Sequence, residues 1–439
     1  MQQAAGQALA QTLQEANRLA QNGQLEAAKA TLARVLEQTP EQPDALQLLG
    51  LIARQQGDAG AAEAWFRRSL AAKPGQPHVQ NNLANALKAQ NRLDEAVQSY
   101  REAVRLKPDY GDAWINLGLT LAASGAHESA IEAYSRALRL APGTARALNA
   151  LGTSQRALGR HEEALATLTE AVEAAPNSLK ALNNCGNALQ DTGRYEAAAA
   201  LFERALAEAP DRPNLMLGLA NAYFALARFE EAEGVLQGVI AGEPEHSEAH
   251  RSLKTLRFVT GRAGEAATSY EAALETRPQS TALWLQYVQA LYQLERWEEA
   301  VEASHRGERQ CGANAALQLE RGHILAEKGR PAEALEVLSP LEADASPAGS
   351  RLTVERVRAY LRLGDFPACE RLLEAALARD WHDFSAWAYR GLVWRLMSDN
   401  RAHWLIDYER FVRPMEVPVP AGFRNHAEFN AALAEELTR

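Results

Sequence analysis

The sequence predicts an all-α chain folded as an α-solenoid, a right-handed superhelix of about eleven helix–turn–helix repeats with a C-terminal cap. Three observations predict it. Prolines recur every 34 residues, at Pro40, Pro74, Pro108, Pro142, Pro176, Pro210, Pro244 and Pro278. When each repeat is counted so that its proline falls at position 32, position 20 is alanine in unbroken succession: Ala28, Ala62, Ala96, Ala130, Ala164, Ala198, Ala232, Ala266 and Ala300. Position 24 is large and apolar or aromatic, holding Leu32, Phe66, Tyr100, Tyr134, Leu168, Phe202, Leu236 and Tyr270. A fixed period of this length marks supersecondary units that bury their apolar faces by stacking.

Each part of the repeat has a physical reason. Position 8 is small in Ala16, Gly50, Ala84, Gly118, Gly152, Gly186 and Ala220. It is expected to face the alanine at position 20, so that the two backbones of a hairpin approach, with large residues at positions 4, 7, 11 and 24 filling the space around. Gly57, Gly125, Gly159, Gly193 and Gly261 follow the first helix, where a left-handed residue ends it at little steric cost. The proline ends the second helix because it cannot continue the hydrogen-bond ladder. Repeats begin at residues 9, 43, 77, 111, 145, 179, 213, 247, 281, 315 and 350, giving an array over 1–383. The last three drift: Gly312 stands where a proline is due, and the insert "ADASPAGS" moves the register by one. Residues 384–412 read as capping helices, 413–424 as a proline-rich connector and 425–439 as a further helix.

These residues resemble the tetratricopeptide repeat, whose pattern is W-x2-L-G-x2-Y…A-x3-F…A…P. Repeat 111–144 carries it as Trp114, Leu117, Gly118, Leu121, Ala130, Tyr134, Ala137 and Pro142. The resemblance extends from residue 9 to about 383. It implies a concave channel lined by positions 2, 5, 6, 9, 12 and 13 of the first helices, in an architecture that binds rather than catalyses.

Asparagine recurs at those positions. Position 5 holds Asn81, Asn149 and Asn183; position 6 holds Asn82, Asn116 and Asn184; position 9 holds Asn85, Asn187 and Asn221. Each costs roughly 0.6 kcal/mol of helix propensity relative to alanine. An amide side chain offers a donor and an acceptor, so it can pair with both polar groups of a peptide bond. Such a ladder suits an extended polypeptide held by its backbone, and it is similar to the inner face of the O-linked N-acetylglucosamine transferase superhelix. The other reading is that these amides are solvated, or bond adjacent repeats to one another. Arg54, Lys88 and Arg156 at position 12, with Arg146 and Lys180 at position 2, would draw acidic ligands or else stand solvated. Further along, position 6 reads Gly218, Ser252, Gln286 and Glu320, so the downstream face is expected to differ chemically.

Other classes are disfavoured. The chain has 439 residues with 46 basic and 56 acidic side chains, and a net charge of −10 without a basic cluster argues against nucleic acid. No run of about 18 apolar residues suggests a membrane span. The N-terminal stretch reads as a helix rather than a signal peptide. Cys185, Cys311 and Cys369 are odd in number and far apart, which points to a reducing cytoplasm. Glycine-rich phosphate loops, H-E-x-x-H and C-x-x-C are absent from the sequence. The H-x-E triplets at His161/Glu163, His246/Glu248 and His426/Glu428 fall on helical stretches, where residues i and i+2 diverge and cannot grip one metal. His246 and His250 stand four apart, but His250 occupies a packing position. No catalytic or metal site is expected, and no cofactor in this chain.

From Trp381 the composition shifts. Trp381, Trp387, Trp394 and Trp404 fall within 24 residues, as an aromatic cap or a docking surface. Trp404, Asp407, Tyr408, Phe411, Val412, "VPVPAGF" and "FNAALAEEL" resemble the junction in bacterial proteins that join such arrays to an Fe(II)/2-oxoglutarate oxygenase domain. This resemblance implies a following catalytic domain, with Fe(II) and 2-oxoglutarate bound there and the repeats recognising a peptide or protein substrate. A free-standing interaction scaffold, or a recruitment module for a glycosyltransferase or sulfotransferase, is the alternative. Oligomeric state is not legible.

Overall fold

The computed structural model describes residues 2–343, 346–399 and 401–402. Among these the chain forms 23 α-helices and one short 3-10 turn, with no strand. The end of the expected cap, the 413–424 connector, the 425–439 helix and the His426/Glu428 triplet lie outside the described residues. The chain divides into two compact units, Met1–Arg262 and Ala263–Arg439.

The first unit is a regular α-solenoid of helical hairpins, of which Gly111–Ala123 and His127–Leu140 are typical. The turn inside each hairpin needs a left-handed residue, and Gly57, Gly125, Gly159, Gly193 and Gly261 adopt φ between 74 and 82° there. Asn91 and Ala227 take the same conformation at φ 60 and 57°, although their side chains pay about 1 kcal/mol for it. Each second helix closes on the residue before the proline. Thr39, Lys73 and Lys107 all sit near φ −140° with ψ of 85 to 98°, because a following proline ring excludes the helical region.

The packing shows what the small residue accommodates. Position 8 makes room for the large side chain at position 24 of its own hairpin. A Cβ on Gly118 would stand 2.4 Å from the Tyr134 ring, and one on Gly186 2.6 Å from Phe202. Gly50 meets Phe66 and Gly152 meets Leu168 in the same way. The position-20 alanines are fully buried. At position 4, Trp114 Nε1 donates to the Pro108 carbonyl (2.9 Å), tying a hairpin to the preceding proline turn. His250 holds that position one hundred and thirty-six residues later, and its Nε2 lies 2.9 Å from the Pro244 carbonyl. Burial lowers its pKa, so this imidazole is a neutral substitute for the indole.

The second unit repeats the hairpin less regularly. A 3-10 turn (Ala263–Glu265) and a nine-residue helix (Thr268–Thr276) stand where a full second helix is due. Helix Pro331–Leu338 also ends early, ahead of the insert. Its open carbonyl end is satisfied by Arg356, which donates to the Leu338 carbonyl (Nε, 3.0 Å) and to those of Ser339 and Leu341. Regularity returns at Phe384–Leu396, where Trp387 Nε1 donates to the Trp381 carbonyl (3.1 Å), as Trp114 does to Pro108.

Candidate functional site

The asparagines of the first unit sit on the first helices, Pro77–Ala89, Gly111–Ala123, Ala145–Ala157, Leu179–Asp191 and Pro213–Ala225. Their packing faces bury Leu83, Leu117, Leu148, Leu182 and Leu215, which turns the amides to the other side. There the structure sorts them into two kinds.

Four are joined in pairs across adjacent repeats. Asn116 Nδ2 donates to Asn81 Oδ1 (3.1 Å), and Asn184 Nδ2 donates to Asn149 Oδ1 (3.0 Å) and to Thr153 Oγ1 (3.2 Å). Asn81 and Asn149 are only 6% and 5% exposed. These two are therefore corrected from lining residues to buried acceptors that orient their partners. Burying an amide oxygen without a donor would cost about 1–3 kcal/mol, so the pairs also fix the register between repeats.

The rest keep hydrogen-bonding capacity for something else. Asn82 and Asn187 are half-buried and Asn221 is exposed, and none has a hydrogen-bond partner among the described residues. Asn85 Oδ1 accepts from the Tyr100 hydroxyl (2.6 Å), leaving its NH2 outward. Burial raises the Tyr100 pKa well above the ordinary phenol value, so it stays a donor at any working pH. Asn183 approaches only Asn184, at 3.5 Å.

The cations divide similarly. Arg156 is spoken for: its Nε lies 2.6 Å from Asp191 Oδ2, so its charge is neutralised inside the protein. Arg146 donates to Asn116 Oδ1 (2.8 Å), orienting that amide from the next repeat. Lys88 is half-buried, and its pKa is lowered by burial and by the nearby Arg146 charge. Arg54 is exposed. Sequence reasoning missed the supporting roles of Tyr100 and Thr153. A tyrosine at position 24 with an asparagine at position 9 of the same repeat was the available signal for the first.

Beside the amides lies a groove of about 570 Å³ with Lys180, Asn183, Arg212, Asn214, Glu243 and His246 along it. Only Asn183 and Lys180 of this set were marked by the repeat pattern.

In the second unit the inner positions carry charge instead. Glu320 Oε1 accepts from Gln289 (3.0 Å) and Arg351 (3.0 Å). His323 Nδ1 stands 3.1 Å from Glu355 Oε2, an ion-pair distance, though off the line of a good hydrogen bond. Arg358 approaches Glu355 Oε1 (3.4 Å) and donates to the Tyr389 hydroxyl (2.9 Å). Contact with Glu355 raises the His323 pKa against the effect of burial. Burial pushes Glu355 up, but His323, Arg358 and Arg351 together hold it below the ordinary carboxylate value.

Among the described residues no group of three or more His, Cys, Asp or Glu could hold a metal ion, so none of them fits as an iron ligand set. His161 lies 3.6 Å from Asp191, and the His246 ring is used to cap a helix. Cys185 and Cys369 are buried, and burial raises both thiols, that of Cys369 to about 11. Among the described residues, no helix is long and apolar enough to cross a membrane.

Family profiles described as tetratricopeptide repeat match residues 13–77, 81–145, 130–178 and 149–213, residues 189–256 and 260–309, and residues 350–375. No curated protein matches the chain. Solved structures that it resembles include one titled as functional characterisation of Pseudomonas aeruginosa pilF (21% identity, 48% of this chain and 96% of that one, TM-score 0.43). Another is YrrB, described as a TPR protein with an unusual peptide-binding site (23% identity, 43% and 96%, TM-score 0.38). A third is Naa15/Naa10 bound to HypK-THB (16% identity, 98% and 71%, TM-score 0.37). The profile matches run through most of the 34-residue units identified by their prolines, and the hairpins they predict are the ones the structure contains. The chain belongs to the tetratricopeptide-repeat family.

Proposed function

We propose that the first unit binds an extended polypeptide by its backbone, as a recognition scaffold without chemistry of its own. One observation carries this. Asn82, Asn187 and Asn221 recur on one face of the first helices with both halves of their amides unclaimed by the described residues, while Asn116 and Asn184 are held in place by buried partners. Amides on one face of the repeats starting at 77, 111, 179 and 213 can pair with the alternating C=O and N–H of an extended chain. Holding Asn116 and Asn184 in position beforehand lowers the entropy lost on binding.

The resemblance of residues 404–437 to the junction before an Fe(II)/2-oxoglutarate oxygenase domain supports a role for this scaffold in presenting a polypeptide to such a domain. Fe(II) and 2-oxoglutarate would belong to that domain and not to the repeats. A cytoplasmic setting agrees with the three free cysteines.

The test uses a fluorescein-labelled 15-residue peptide of Ser, Thr and Val with no charged side chain. Its anisotropy should rise saturably with the protein. Asn82→Ala, Asn187→Ala and Asn221→Ala together should weaken that binding about a hundredfold, from the loss of one hydrogen bond per amide at about 1 kcal/mol each. Their melting temperature should hold or rise, since alanine is the better helix former. Unchanged affinity in this variant, or no binding by the wild type, overturns the proposal.

A further inference from the structure

The groove beside the amides combines chemistry that the backbone-binding reading does not use. Lys180 opens the Leu179–Asp191 helix, and Arg212 and Asn214 flank the start of Pro213–Ala225. They are 32 and 34 residues apart in sequence, yet line one groove with Asn183 and His246. Leu179, Pro213 and the buried Leu215 supply its apolar lining.

Other cations of these repeats have partners: Arg156 pairs with Asp191, Arg194 with Glu162, and Arg204 donates to the Pro176 carbonyl. Lys180 and Arg212 form no ion pair among the described residues, and both are exposed to whatever enters the groove. One carboxylate, Glu243, shares the groove with these two cations, so the local balance is positive in a chain of net charge −10.

His246 adds a directed donor. Its Nδ1 accepts a hydrogen bond from the Ala249 backbone N–H (3.3 Å), capping helix Ser247–Val259. That bond assigns the ring proton to Nε2, which leaves an N–H on the side of the imidazole away from the helix. The groove therefore offers an ammonium, a guanidinium, an imidazole N–H and two amides. All five can donate to oxygen, and an oxyanion is the ligand that accepts from all of them.

We infer that this groove is an oxyanion subsite. It takes one acidic group, a carboxylate or a phosphate monoester, carried by the polypeptide that the neighbouring amides hold. Asn183, at the junction of groove and amide face, gives the two a shared edge. The inference rests on the backbone-binding reading for its ligand, but the subsite itself can be tested apart from it.

The labelled 15-residue peptide is prepared with Ser, Glu or phosphoserine at its centre. Wild-type protein should bind the acidic forms about fivefold more tightly than the serine form, as expected for two partly exposed charge pairs. Lys180→Met with Arg212→Met should abolish that preference while leaving serine-peptide affinity unchanged. Lys180→Arg with Arg212→Lys should keep it. A larger gain for phosphoserine than for glutamate assigns the site to phosphate monoesters, and equal gains assign it to carboxylates.

Inorganic phosphate, titrated while the His246 ring is followed in a 15N-histidine spectrum, reports on the subsite alone. A saturable shift that the double methionine variant lacks supports the site even if no peptide binds, in which case only the backbone reading fails. A preference for acidic peptides that survives in the double methionine variant overturns the proposal. So does a His246 resonance unmoved by phosphate when the acidic peptides show no advantage.

Discussion

Along the inner positions of the first helices, the Met1–Arg262 unit carries recurring amides among its cations, and the Ala263–Arg439 unit carries buried acids matched by bases. The amides of the first unit use part of their bonding capacity internally. Asn116 and Asn184 are held by buried Asn81 and Asn149, while Asn82, Asn187 and Asn221 keep theirs. In the second unit Glu320 is matched by Gln289 and Arg351, and Glu355 by His323 and Arg358, and Glu320 and Glu355 are 7% and 4% exposed. A neutral amide can stay half-solvated at little cost, but a buried charge must be matched from within. The same hairpin therefore yields a face open to a ligand in one unit and a face closed by its own ion pairs in the other.

The packing beneath these faces can be broken in both units to sharpen the comparison. Gly118→Val should cost about 3 kcal/mol, because the new side chain drives into the fully buried Tyr134 ring, which has nowhere to move. Gly322→Val meets Leu338 at the same 2.4 Å, but Leu338 is the last residue of an eight-residue helix, whose end is held by fewer backbone bonds. About 2 kcal/mol is expected there. Urea unfolding followed by hydrogen exchange on each unit separates the two; equal losses would show that the second unit packs as rigidly as the first.

Next in size is the ion-pair network. Glu355→Gln removes the charge facing His323 and Arg358 and should cost about 2 kcal/mol, felt in the exchange rates of the second unit only. The pH dependence has a defined sign. His323 has a raised pKa, so its contribution is complete below the ordinary imidazole value of 6.5 and fades as pH rises through the raised value. Glu355 has a lowered pKa, so its contribution is complete above 4.5 and is lost as pH falls through the lowered value. Thermal melts should therefore show a stability plateau for the second unit between those two pH values. Glu355→Gln should flatten it, and a profile unchanged by the substitution would remove the pair from the account.

The smallest effect concerns the turns. Ala227→Gly in the first unit and Glu295→Gly in the second should each stabilise by about 0.5–1 kcal/mol, since both residues sit at left-handed φ, 57 and 60°. Chemical denaturation of the single variants measures this. A loss of stability would mean that the unfolded-state entropy of glycine outweighs the relief of strain.

How much of this was legible differs from feature to feature. The hairpins were, because proline at position 32 and glycine at position 15 act locally on their own backbone. The cross-repeat pairs Asn81–Asn116 and Asn149–Asn184 were one of two open readings, since residues 35 apart meet only when neighbouring hairpins stack. Arg156 looked like a channel cation until Asp191, also 35 residues on, was placed beside it. That the side chain at position 24 fills the space left by position 8 of its own hairpin needed the structure. A residue list shows which side chains are small, but not which neighbour fills the space left.

The sequence by itself determined the period, the helical hairpin, its two stops and the face on which asparagine recurs, because all of these follow from local backbone preference and helical spacing. Only the tertiary structure decided which amides are spent on the fold and which remain, and which cations are neutralised. It also brought Lys180, Arg212 and His246 to one groove. Those outcomes depend on how far each repeat is turned against the next, and that rotation is set by packing between hairpins rather than by any single stretch of chain.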